Sequence, residues 1–195
     1  MRYFQKNTVS NYFLASKSEK FLRAMEWFER TGGVIANGAA DFEIIVPRLQ
    51  IHAVSRDDKP FLFCGDKSTS AKVFGNDFAL NALGRSGVPD DLFERVMKAP
   101  YSEIVRDGAP LCEKVNANLI IDNKLKPVSY FRFAFPITFR DYPAVAVLCE
   151  FSQNLTEKNN QDFLASSKSG NLLGIAKEKP ASTLGLKAQN SNIRG

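Results

Sequence analysis

His52 is the only histidine among the 195 residues, so acid–base catalysis, a nucleophile relay or axial ligation that needs an imidazole has this single source. It lies between Ile51 and Ala53 in an expected strand, which is the setting of a partly exposed or hydrogen-bonded structural histidine. Cys64, Cys112 and Cys149 are odd in number and far apart, with neither a CxxC pair nor zinc-ligand spacing. Each sits in or beside an apolar run, where a thiol acts as a small hydrophobe; redox sensing by one of them stays open. Asp57-Asp58 and Asp90-Asp91 have the composition of acid–base or metal pairs. The first falls in a polar turn and the second in the opening turn of a helix, where carboxylates are expected without any chemistry. Gly84-Arg85-Ser86-Gly87 lacks the lysine and the length of a phosphate-binding loop. No catalytic residue and no metal site is assigned.

The informative cluster is aromatic. Phe61 and Phe63 fall on one β-run, Phe93 and Met97 on a helix, and Phe131, Phe133 and Phe135 on another β-run. Alternation places those last three on one strand face and Tyr130, Arg132 and Ala134 on the other. If helix and strands meet, these seven residues line either a solid core or an apolar cavity for a small organic ligand. Arg132, on the opposite face, is expected to make a surface salt bridge or a partner contact.

The elements that must position this cluster follow from the pattern. Ser16 and Glu19 have capping-box spacing, and Phe21, Leu22, Met25 and Phe28 recur at helical intervals until Gly32-Gly33. That stripe is a candidate partner-binding face, packing either on its own domain or on a second copy. A β-run is expected from Phe42 to Ala53, then the turn Ser55–Pro60 and a second run at Phe61–Cys64, together a hairpin. Short helical turns and loops suit residues 66–85. Pro89 opens a helix with Leu92, Phe93, Val96 and Met97 as its stripe; Pro100 interrupts it and Gly108-Ala109-Pro110 ends it. β-Runs near Leu111–Ile121, Val128–Thr138 and Ala144–Phe151 argue for antiparallel pairing. A short helix is expected over 152–165. Residues 166–195, without an aromatic residue, are expected to be a disordered tail.

Val46-Pro47-Arg48-Leu49, Phe74-Gly75, Asp90-Asp91-Leu92-Phe93, Val105–Pro110 and Tyr130–Ile137 form a set of local motifs. Together they resemble a PAS-like sensory family found in many alphaproteobacterial proteins. The resemblance covers about residues 40–151, with residues 1–35 as an N-terminal arm and flanking helix. It implies an α+β fold, a five-stranded antiparallel sheet with short helices on one face, used for signal detection or protein association. It transfers no catalytic residues. Some PAS domains hold haem on a histidine of the long helix, and flavin-binding relatives use a cysteine in an asparagine-cysteine-arginine motif. This chain has neither feature, so its cofactor is unknown.

Charge bounds the partners. Residues 1–30 and 154–195 each contribute +3 to the overall +5, leaving −1 for residues 31–153. A nucleic-acid groove is not expected from that distribution. No apolar run approaches the roughly 20 residues that span a bilayer, and the cysteine usage suits a reducing compartment, so a cytoplasmic protein is expected. The expected function is a non-enzymatic regulatory protein that binds a small ligand or a partner protein and signals through its flanking helices. The alternatives are a structural dimerisation module with a filled core and a small enzyme of unknown reaction.

Overall fold

The computed structural model describes residues 3–54, 59–85, 88, 90–121 and 124–152. The expected turns at 55–60 and 122–124 and the expected helix at 152–165 fall for the most part outside the described residues, as do Ser86, Gly87, Pro89 and the whole of the expected tail. The architecture is α+β, built on one antiparallel sheet. Its strands are β1 (Phe4–Thr8), β2 (Leu49–Ala53), β3 (Phe61–Cys64), β4 (Leu111–Ile121), β5 (Lys124–Phe139) and β6 (Tyr142–Phe151), in the spatial order β1-β4-β5-β6-β2-β3. The last three strands form a continuous meander, and the β2–β3 hairpin docks on β6 through Ile51 opposite Ala146. The tight β5–β6 turn places Arg140 and Asp141 at φ +48° and +66°.

Both faces of the sheet are covered, which corrects the expectation of helices on one face. One face carries α1 (Asn11–Ala15), α2 (Glu19–Thr31) and α3 (Ala39–Ile45). On it Phe21, Ala24, Met25 and Trp27 of α2 are buried against Phe133, Phe135, Ala146 and Leu148 of the sheet. The other face carries α4 (Thr69–Phe74), α5 (Asn76–Asn81), α6 (Asp91–Lys98) and α7 (Tyr101–Asp107). There Phe93, Met97, Tyr101 and Ile104 pack over Tyr130, Ala134, Val145 and Val147.

Three further differences from the sequence pattern have physical causes. The sheet has six strands because β1 pairs with β4, from Phe4 opposite Ala117 to Thr8 opposite Glu113. That pairing is made by backbone groups, and a strand with Phe4 as its one large hydrophobe leaves no alternation to read. The helix expected from Ser16 begins at Glu19. Ser16 instead closes α1, its hydroxyl donating to the Phe13 carbonyl, and Ser18 is the N-cap of α2. The run from Phe42 to Val46 is helix α3 followed by a 3₁₀ turn at Val46–Arg48, not strand. Phe42 and Ile45, three residues apart, share the inward face, and Phe42 lies 4.7 Å from the Trp27 ring, so packing on α2 overrides the β-propensity of Ile44-Ile45-Val46.

Other signals are realised as expected. Gly32 ends α2 in the left-handed conformation at φ +59°, and Gly108 does the same for α7 at φ +63°. The helix after residue 89 breaks at Pro100 into α6 and α7. Among the described residues no helix is long and apolar enough to cross a membrane.

Candidate functional site

A cavity of about 60 Å³ lies between α6, α7 and the sheet. Asp90 fixes the start of α6, whose residues form one wall. One carboxylate oxygen accepts from the Phe93 amide at 3.0 Å, capping α6, and the other accepts from the Ile120 amide at 2.9 Å, tying that helix start to β4. α6 then points Phe93, Met97 and Lys98 at the sheet, and Pro100 turns the chain so that Tyr101 of α7 faces His52 of β2.

The lining is mostly apolar, with Phe61, Phe93, Met97, Val147 and Phe151 among its walls. Its polar groups converge on Arg132 of β5, which is 1% exposed. The Arg132 guanidinium donates to the Met97 carbonyl at 2.8 Å and to the Glu113 carboxylate, and lies 5.9 Å from the Tyr101 ring centre. Burial disfavours its charge, and the neighbouring Tyr101 and Glu113 outweigh that, so its pKa is raised further above the ordinary arginine range. Lys98 donates to the Lys59 carbonyl at 2.7 Å and pairs with Glu94. The charges of the site therefore come in balanced pairs.

His52 is 2% exposed and sandwiched between Phe61, at 4.3 Å, and Tyr101, at 5.2 Å between ring centres. Burial, then the positive Lys98, pull its pKa well below the usual histidine value, against a raising contribution from its backbone contact at Lys59. The ring is held neutral. Its Nδ1 lies 3.4 Å from the Lys59 carbonyl, which can only accept, so the proton belongs on Nδ1 and Nε2 carries the lone pair. His52 Nε2 and Arg132 Nε are both buried without a hydrogen-bond partner. Leaving such an atom unsatisfied costs about 1–3 kcal/mol, so a free acceptor and a free donor on two residues that line one cavity favour a guest that complements both.

The seven phenylalanine and methionine positions do not converge. Phe61, Phe93 and Met97 line the cavity, whereas Phe131, Phe133 and Phe135 lie on the opposite face of β5, where Phe133 and Phe135 contact Phe28 of α2. Phe63 also packs on that opposite side. A bulge explains the split: Phe61 pairs with His52 and Phe63 with Ile51, so Leu62 is an extra residue and the face changes between two positions that simple alternation puts together. Arg132 is buried rather than on the surface. The strand alternation was legible, but the choice of which face holds the cavity was not.

The partner-face residues divide as well. Phe21 and Met25 are internal, Phe28 is partly buried against β5, and Leu22 is 41% exposed. Burial raises the thiol pKa values of Cys112 and Cys149 to about 12 and that of Cys64 less far, so all three are protonated at neutral pH and none is poised as a nucleophile. No group of three metal-ligating side chains occurs among the described residues. With the side chains as placed, 60 Å³ does not admit a haem or flavin ring system.

No protein-family model, no curated protein and no solved structure matches this chain. The site is therefore read from its own chemistry.

Proposed function

We propose that the chain is a non-enzymatic, PAS-like sensory module whose α6–α7 cavity binds a small organic molecule. The observation that carries this reading is the pair of unpartnered buried atoms, His52 Nε2 and Arg132 Nε, in one apolar-walled cavity. Such a site complements a compact guest with an O–H or N–H donor beside an acceptor, for example a hydroxyl or a carboxamide. Support for the PAS-like part is the element order: a hairpin, a short-helix middle, a helix broken at Pro100, and a three-strand meander.

The route from cavity to output is short. Arg132 sits between Phe131, which meets Phe13 of α1, and Phe133, which meets Phe28 of α2, so a guest that shifts β5 at Arg132 moves the surface on which α1 and α2 pack. Two packings of α2, one favoured by the guest, would make a population-shift switch read by a partner protein.

Native mass spectrometry of the purified protein, with an absorbance scan, tests this reading. A co-purified small mass that is lost in His52→Phe supports it. An apo protein whose melting temperature no small polar organic compound shifts would overturn it. The interaction-module alternative draws on Leu22 of α2 and Ile44 of α3, both exposed apolar residues in one surface groove; a clean apo dimer in the same measurement would favour it.

A further inference from the structure

A second hollow, about 530 Å³, opens at the start of α2, where Lys114, Phe131 and Glu150 of the phenylalanine face meet Thr69 and Lys72 of α4 and Phe151 from the other side of the sheet. Six cations rim it: Lys17, Lys20, Arg48, Lys67, Lys72 and Lys114. One carboxylate, Glu150, joins them and pairs with Lys20 at 2.5 Å. The other five have no carboxylate partner among the described residues. They come from separate stretches of sequence, and close backbone contact helps to gather them. The Lys67 amide donates to the Pro47 carbonyl at 2.8 Å, and a Cβ on Gly65 would sit 2.2 Å from that same oxygen, so only glycine lets the Arg48 and Lys67 segments approach.

Two further features turn this from a charged surface into a site. Ser18, the N-cap of the 13-residue helix α2, makes no side-chain cap bond, and its hydroxyl is buried without a partner at the hollow. The positive end of that helix thus adds to the cations, and Glu19 of its first turn pairs with Arg23 outside the hollow. Glu150 Oε2 is also buried and unpartnered, above a floor that includes Phe131 and Phe151. An occupant needs an anionic group for the lysines, Ser18 and the helix end, an apolar body for the floor, and an N–H or O–H to donate to Glu150.

We propose that this hollow binds a nucleoside mono- or diphosphate, with its phosphate at the start of α2 and a base or ribose donor on Glu150. The volume is within the roughly 300–1,000 Å³ of small-ligand sites. A continuous polyanion fits less well, because Glu150 stands among the cations where successive phosphates would pass. The chain's own residues 154–195, at net +3, lack the charge to fill it. This site borders the α6–α7 cavity, sharing Thr69, Cys149 and Phe151 with it, but its six cations are distinct from Lys98 and Arg132 of that cavity.

The test is isothermal titration calorimetry on the full chain in about 50 mM salt, with adenosine and guanosine diphosphates, adenosine, and inorganic phosphate as probes. Saturable binding of a nucleoside diphosphate, one per chain, is expected, with no binding of adenosine. Lys72→Glu and Lys114→Glu should each weaken it by about tenfold or more. Glu150→Gln should weaken the nucleotide about threefold to tenfold and leave inorganic phosphate unweakened. Circular dichroism establishes that each variant is folded, and Lys72→Glu alone decides the matter if Lys114→Glu is not. No heat with any nucleoside diphosphate at about 1 mM overturns the proposal. So does inorganic phosphate binding as tightly as the nucleotide, or binding confined to oligonucleotides or to vesicles of anionic lipid.

Discussion

The two hollows on the sheet handle charge in opposite ways. The α6–α7 cavity is small and apolar-walled, and its buried cations are each matched, Arg132 by Glu113 and Lys98 by Glu94. The hollow at the start of α2 is larger and more polar, and gathers six cations around one carboxylate. Depth decides which is tolerated. A buried charge without its partner is severely destabilising, whereas lysines that reach water are screened and can be left unpaired. The first arrangement is structural; the second is separable from the fold.

The sharpest way to break this contrast is to remove one charge from each hollow. Glu113→Gln leaves Arg132 buried with a neutral neighbour and should lower unfolding free energy by about 3–5 kcal/mol in urea denaturation. Lys20→Met, which breaks the partly exposed Lys20–Glu150 pair, should cost no more than about 1 kcal/mol. Similar costs for the two would show that burial does not separate these sites.

His52 gives a second, smaller effect with a defined sign. Its folded-state pKa lies well below 6.5, so above pH 6.5 it is neutral in both states and contributes no pH dependence. As pH falls below 6.5, the unfolded chain takes up a proton that the folded chain refuses. Stability should therefore drop by up to about 1.4 kcal/mol per pH unit until the folded pKa is reached. His52→Phe should abolish that part of the slope between about pH 6.5 and 5. The difference between the two proteins isolates the imidazole from the carboxylates; parallel pH profiles would mean that His52 titrates normally.

How much of this was legible in the sequence depends on whether a signal was local. Helix stops at Gly32 and Gly108, the break at Pro100 and the three-strand meander follow from residues adjacent in the chain. The alternation of Phe131, Phe133 and Phe135 against Tyr130 and Arg132 was equally plain. What alternation cannot supply is the identity of the layer above each face. Both layers are helical and apolar, so the pattern did not show that α2 closes over Phe133 and Phe135 while the α6–α7 cavity lies on the other face. The Leu62 bulge and the β1–β4 pairing are backbone events with no side-chain signature. The basic hollow was hidden for a related reason: charge counted by segment, +3 over residues 1–30 and −1 over residues 31–153, divides a cluster that is assembled in space from residues 17 to 114.

That cluster yields the smallest predicted effect. Five unpaired cations around one hollow repel one another, so replacing one of them with an acid should relieve the folded state as well as weaken an anionic ligand. Lys72→Glu is the suitable change, because Lys72 is exposed in α4 and makes no ion pair among the described residues. At low salt the variant should be more stable than the parent by about 0.5 kcal/mol, within the range of surface charge effects. The gain should fade as salt approaches about 1 M, where the screening length is only about 3 Å. Loss of stability, or a gain that salt does not diminish, would mean that Lys72 acts through packing and that the hollow is not under electrostatic tension. A salt-sensitive gain would instead mark the cations as kept at a cost to the fold, which is the expected signature of residues retained for what they bind.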